Sequence, residues 1–165
     1  GGLIIDNAAG VNLASSVTLA SGLNLVAGNF NVGGNTLTLN GPAITRTSGN
    51  LSTSAASSLV FGGSSPGIYI PASVMTLNNL TVNNANGVSL NGDLALASGG
   101  VLSLSAGILY AEDHTISVTN SSASAVTGSE SSFINVTTGG LQRTLPAGLA
   151  GPGSTYLFTI GESGT

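Results

Sequence analysis

The chain contains no cysteine, no lysine and no tryptophan. Without cysteine there are no disulfides and no thiolate metal sites, and the redox compartment is left open. Only eight residues are charged: Asp6, Asp93, Glu112, Asp113, Glu130, Glu162, Arg46 and Arg143, for a net charge of −4. A chain this poor in positive charge lacks the electrostatic means to bind nucleic acid or an anionic membrane surface. No apolar run approaches the ~20 residues that span a bilayer, so membrane insertion is not expected. His114 is the only histidine, which excludes a two-histidine metal motif. No stretch sustains apolar residues at i, i+3, i+4 and i+7, so helices are not expected. The chain opens Gly1-Gly2-Leu3 without a methionine, and the expectation is a segment of a longer precursor.

What the chain has is a copy of itself. Leu3 to Gly22 read LIIDNAAGVNLASSVTLASG, and Leu80 to Gly99 read LTVNNANGVSLNGDLALASG. Ten of these twenty positions are identical at an offset of 77. After two inserted residues, Gly100 and Val101, the match resumes at an offset of 79, so that residues 3–39 lie over residues 80–118. Self-similarity of this kind marks stacked units that each bury a face against the next.

Within each copy runs a shorter beat of apolar-x-apolar triplets. The first copy has Val11-Asn-Leu13, Val17-Thr-Leu19, Leu23-Asn-Leu25, Phe30-Asn-Val32 and Leu37-Thr-Leu39. The second has Val88-Ser-Leu90, Leu94-Ala-Leu96, Leu102-Ser-Leu104 and Ile116-Ser-Val118. Period-two alternation is the pattern of a strand with one buried face. The small residues between triplets suit tight corners. In the first copy the starts are six or seven residues apart, too close for an antiparallel sandwich, whose strands recur every 8–12 residues or so. They suit three faces per coil and roughly 20 residues per turn, within the range of solenoid repeats. The pattern therefore predicts an all-β chain, a parallel β-solenoid of about eight coils. Irregular coil length favours a right-handed winding over a strict hexapeptide type. Leu13, Leu19, Leu25, Leu39, Leu90, Leu96, Leu104 and Val118 are expected to point inward.

Three regions break the beat. Residues 41–72 contain Pro42, Pro66 and Pro71, which cannot donate in a central ladder and predict loops or edges. Residues 120–132 are nearly all small and polar, fitting a flat coil face or a loop. From Gly139 the chain leaves the pattern. The expected division is a β-helix over residues 1–140, then a linker and strand over residues 141–165. The alternating segment Tyr156, Leu157, Phe158, Thr159, Ile160 is the candidate strand for crossing to a neighbouring subunit or opening a following module.

The stretch LNNLTVNNANGVSLNGDLALASGGVLSL, residues 77–104, resembles the repeats of large secreted bacterial β-helix surface proteins of the adhesin-like kind. SSFINVTTGGLQRTLPAG and STYLFTIGESGT are similar to what commonly follows those repeats. The resemblance implies a right-handed parallel β-helix in an extracellular, multi-module structural or adhesive protein of the cell surface.

The chemical inventory is thin. Glu112-Asp113-His114 is the densest polar cluster and the only one suggesting a divalent cation. Adjacent strand residues point to opposite faces, so an exposed corner is expected instead. Asp6 aligns with Asn83 and Asp93 with Ser16, so the duplication does not build a carboxylate pair of the spacing glycoside hydrolysis needs. Arg46 and Arg143 could contact a carboxylate or sugar; the plainer reading is a charge on an outer face that limits side-to-side association. Asn50, Asn79, Asn120 and Asn135 lie in Asn-x-Ser/Thr sequons, which chance explains in so Asn-, Ser- and Thr-rich a chain. Ice binding would call for a rank of Thr-x-Thr triplets, and only Thr36-Leu-Thr38 and Thr45-Arg-Thr47 occur. No catalytic, metal or cofactor residue is assigned, and no enzymatic activity is expected. Two functions remain. One is a stiff spacer or filament subunit, its ends covered by like modules or identical subunits. The other is an adhesin or carbohydrate-binding module presenting a flat face to surface glycans.

Overall fold

The computed structural model describes residues 2–149 and 155–162. The triplets form strands, and the strands stack in parallel. The first coil is β1 (Leu3–Asp6), β2 (Val11–Asn12) and β3 (Val17–Leu19). The second is β4 (Leu23–Ala27), β5 (Asn29–Asn31) and β6 (Thr36–Leu39), and the third β7 (Ile44–Arg46), β8 (Asn50–Ser52) and β9 (Ser58–Phe61). The fourth is β10 (Ile68–Ile70), β11 (Thr76–Leu77) and β12 (Asn79–Asn83), and the fifth β13 (Val88–Leu90), β14 (Leu94–Leu96) and β15 (Leu102–Ala106). The sixth is β16 (Leu109–Glu112), β17 (Thr115–Val118) and β18 (Val126–Thr127). Then come β19 (Ile134–Val136), β20 (Gly140–Arg143) and β21 (Ile160–Gly161). The one helical element among the described residues is a 3-10 turn, Ala123–Ala125, capped by the Ser122 hydroxyl.

Every strand pair in this stack is parallel, as a solenoid requires. The strands build three faces. The third is unbroken, in the order β3-β6-β9-β12-β15-β18. The first divides into β1-β4-β7 and β10-β13-β16-β19-β21, and the second into β2-β5-β8 and β11-β14-β17-β20. Both divisions fall between the third and fourth coils, where Pro66 and Pro71 flank β10 and Gly63 and Gly67 take positive φ. Pro71, just after β10, has no N–H to offer a ladder.

The stack makes about seven turns, fewer than the eight that a uniform coil would give. The reason is that the later coils lengthen. Leu3 pairs with Leu23, but Leu109 pairs with Ile134 and Ile134 with Ile160. The extra residues sit in corners such as 128–132, where Ser129 and Ser132 close a small turn.

One continuous apolar core fills the coil interior, from Ile5 to Leu141. Leu25, Leu39, Leu90, Leu96, Leu104 and Val118 are buried as expected. Leu13 and Leu19 face the same core but remain half-exposed, because β2 and β3 have strands above them and none below among the described residues. The physical cause is position in the stack rather than side-chain direction.

The two copies of the duplicated segment do not share faces. β1 lies on the first face, whereas β12, its equivalent at offset 77, lies on the third. From β1 to β12 is an advance of eleven strands, three coils and two strands, so the second copy is turned two faces onward, which is one face back. Local geometry nevertheless travels with the residues. The register slips between Ile5 and Asp6 in β1, and between the equivalent Val82 and Asn83 in β12. Each bulge is followed by the same corner. Asn7 Oδ1 accepts from Ala9 N at 3.0 Å and Asn7 O from Gly10 N at 2.8 Å. Asn84 Oδ1 accepts from Asn86 N at 3.0 Å and Asn84 O from Gly87 N at 2.8 Å. Above each corner sits a glycine at positive φ, Gly28 (71°) and Gly107 (76°), where a Cβ would overlap the carbonyl oxygen of Asn7 or Asn84.

Candidate functional site

The residues with chemistry are dispersed along the stack. Glu112, at φ 54°, turns the corner between β16 and β17 and sends its side chain toward Thr137 Oγ1, 3.4 Å away. Asp113 accepts from Thr138 Oγ1 at 2.8 Å. His114 turns the other way, its Nδ1 3.8 Å from Asp93 Oδ1 in the coil below. The three side chains thus serve three different partners in two different coils, and no group of three metal-ligating residues forms among the described residues.

Asp93 has a local task. Its Oδ1 accepts the backbone N–H of Thr115 at 2.8 Å. The equivalent Ser16 Oγ accepts the N–H of Thr36 at 2.9 Å. Carboxylate and hydroxyl are interchangeable acceptors for one backbone amide in the coil above. Asp6 ends β1 and is exposed. The sequon asparagines are also in structural use. Asn79 bonds Ser58 Oγ and Val101 N, Asn120 bonds Gly100 O and Ser122 N, and Asn50 Oδ1 accepts from Arg46. Asn135 lies in β19.

The two arginines part company. Arg46 closes its own loop, donating from Nε to Gly49 O at 2.9 Å and from the guanidinium to Asn50 Oδ1 at 2.6 Å. Arg143, at the end of β20, is a clasp. It donates to Leu157 O at 2.6 Å and to Ser122 O at 2.9 Å. Its guanidinium carbon also lies 5.5 Å from the Tyr156 ring centroid and 5.7 Å from that of Phe158, within cation–π range. Desolvation draws its pKa below the ordinary arginine value, with Tyr156 acting in the opposite sense. The sequence carries no sign of this role, because Leu157 lies fourteen residues on, across a glycine- and proline-rich stretch, and Ser122 lies twenty-one residues back.

The expected strand Tyr156 to Ile160 is shorter and lies one step later. Only Ile160–Gly161 is a strand, in parallel register with β19 of the same chain, Ile134 to Ile160. Tyr156 and Thr159 are half-buried, and Leu157, Phe158 and Ile160 are exposed. Alternation at 156–160 has no closed core to face at this level of the stack. Leu157 and Ile160, with Phe133, Glu130 and Glu162, line an open groove of about 500 Å³.

Two surfaces remain as candidates. One is the third face, the longest continuous sheet. Its outward residues form a rank the triplets did not foretell: Thr18, Thr38, Val60, Thr81, Ser103 and Thr127 pair in register across six strands. The rank arises because the x positions of successive apolar-x-apolar triplets stack on one another; five of the six carry a hydroxyl, and Val60 interrupts the row at the third coil. The other is the underside of the first coil. There Leu3, Val11, Leu13, Val17 and Leu19 are only partly covered. Their equivalents at offset 77, Leu80, Val88, Leu90, Leu94 and Leu96, are all at most 3% exposed. The lower edges of β1, β2 and β3 have no partner strand among the described residues.

Comparison with known proteins found no matching family model, no matching curated protein and no matching solved structure.

Proposed function

We propose that this chain is a stiff axial element of an extracellular structural protein, a spacer or filament subunit whose coils continue end to end into like coils. One observation carries the reading: five apolar residues half-exposed under the first coil are fully covered in the equivalent second copy. Partly covered leucine and valine beside free strand edges favour pairing with another coil, since backbone bonds and apolar burial are gained together. The surface setting is supported by the scarcity of charge, the abundance of Ser, Thr and Asn, and the resemblance noted above. Like modules, in line or as identical subunits, are the partners. No enzymatic step, cofactor or metal is assigned.

Small-angle scattering over a concentration series tests the reading. The expected result is a rod of constant cross-section that lengthens with concentration. A rod that stays single confines the chain to the spacer form. Thickening, or a particle that is not rod-shaped, would overturn end-to-end continuation.

The second reading is an adhesin or carbohydrate-binding module. It is favoured by the hydroxyl rank on the third face, where the side chains of Thr18, Thr38 and Thr81 have no hydrogen-bond partner among the described residues. Retention on insoluble polysaccharide, lost on Thr38→Val with Thr81→Val, would support it.

A further inference from the structure

The surface under the first coil has one fitting occupant, and the chain already displays that pairing in its second copy. Residues 80–99 are the equivalent of residues 3–22, and they rest on β9, β10 and β11. Leu59 lies against Leu80, Phe61 against Val82, Ile68 against Val88, Ile70 against Leu90 and Leu77 against Leu96. We propose that the underside of residues 3–22 is a docking surface for the β9–β10–β11 coil of a second copy of the unit, joined in line, with Gly1 and Gly2 standing in the places of Asn78 and Asn79. The proposal rests on the axial reading above and names its partner.

Transposed by 77 residues, the apolar register becomes Leu59 under Leu3, Phe61 under Ile5, Ile68 under Val11, Ile70 under Leu13 and Leu77 under Leu19. Four of the five half-exposed residues of the first coil, Leu3, Val11, Leu13 and Leu19, are in this register, and its fifth position, Ile5, is already buried. The backbone agrees. In the second copy the amides of Asn91, Ala95 and Ala97 donate downward to Ile70 O, Met75 O and Leu77 O, at 3.1, 2.9 and 2.8 Å. Their equivalents in the first coil are the amides of Ala14, Thr18 and Ala20.

A polar contact accompanies this pairing. Asn84 uses its Oδ1 in its own corner and its Nδ2 to reach down to Ser65 O at 2.9 Å. Asn7 makes the same corner through Oδ1, but its Nδ2 has no acceptor among the described residues. A 58–77 coil beneath it would supply that acceptor as the carbonyl of its own Ser65. The unit advances eleven strands, so each copy would stand turned by one face from the last, and three copies would bring a given segment back to its starting face.

Two one-coil extensions test this on the full chain. In one, residues 58–79 are joined ahead of Leu3. In the other, residues 23–43 are joined there, a coil that naturally precedes Ile44. The first should raise Tm by about 5 °C or more, a size expected when several half-exposed side chains are covered in a chain of this length. It should also slow hydrogen exchange of first-coil amides by about tenfold or more. The second should do less on both counts. Asn7→Asp keeps the corner acceptor and removes the donor. It should move Tm by under about 1 °C in the parent chain and abolish much of the gain in the 58–79 extension. Equal gains from both extensions, or a gain insensitive to Asn7→Asp, would overturn the specific pairing and leave axial stacking standing. No gain from either would overturn both.

Discussion

Residues 3–22 and 80–99 share ten of twenty residues and the same apolar pattern in two settings, and the difference between them separates what residues dictate from what position dictates. Bulge, asparagine corner and overlying glycine are the same in both, because they are satisfied within a few residues or by the coil directly above. Face and burial differ. The second copy is turned one face around the axis and fully covered, and the first copy is neither. Secondary structure and corners are properties of the segment, whereas stability is a property of its neighbours, as expected of a quasi-one-dimensional stack.

The sharpest way to break the comparison is a charge at matched core positions. Leu96→Asp places a carboxylate at a site 1% exposed, and should cost more than about 4 kcal/mol or prevent folding. Leu19→Asp, with water at hand, should cost about 1–2 kcal/mol. Urea denaturation of both variants measures the gap; equal costs would show that the first coil is already covered in solution.

Next come the overlying glycines. Gly28→Ala and Gly107→Ala each force a Cβ onto an asparagine carbonyl at positive φ. Both should lose about 2 kcal/mol or more, and by similar amounts. A large inequality would mean that the corners are less alike than their hydrogen bonds.

The asparagines themselves should divide. Asn84 is fully buried and bonded to Ser65 O, so Asn84→Ala should cost about 2 kcal/mol by leaving that carbonyl unpaired. Asn7→Ala, exposed, should cost about 0.5 kcal/mol. Thermal melts of the two variants decide this.

At the far end, Arg143→Ala should cost about 1 kcal/mol. It should speed exchange of the Ile134 amide, which donates to Thr159 O at 2.7 Å. The smallest effect is expected from Asp93→Ser, which installs the first copy's residue in the second. Since Ser16 caps the same amide, stability should stay within about 0.5 kcal/mol.

Much of the fold was legible because period-two apolar residues at six- and seven-residue spacing admit few packings. The inward set Leu25 to Val118 could be named from the triplets alone. The half-exposure of Leu13 and Leu19 could not, since it depends on what lies below β2 and β3. The Thr18–Thr127 rank is not legible in triplets along a strand, because it runs across strands, through residues about twenty apart. Arg143 was read as a solvated charge because its partners, Leu157 O and Ser122 O, are distant in sequence. Strand alternation does not account for the corner Glu112 to His114: Glu112 and Asp113 both meet the coil above, at Thr137 and Thr138, and only His114 turns to the coil below.

The division between the third and fourth coils has a mechanical consequence. Across that one level, two of the three faces have no strand ladder among the described residues, and the backbone bonds from one half to the other run along the third face, through the β9–β12 pairing and the adjoining bond from Asn78 N to Ser57 O at 2.7 Å. A single side-chain bond, from Ser73 Oγ to Leu51 O at 2.9 Å, supplements it on the second face. Bent or pulled, the rod has a built-in crease at this level. The expected fold line is the third face, with flexure expected to concentrate at residues 46–68, where the ladders of the first and second faces are interrupted.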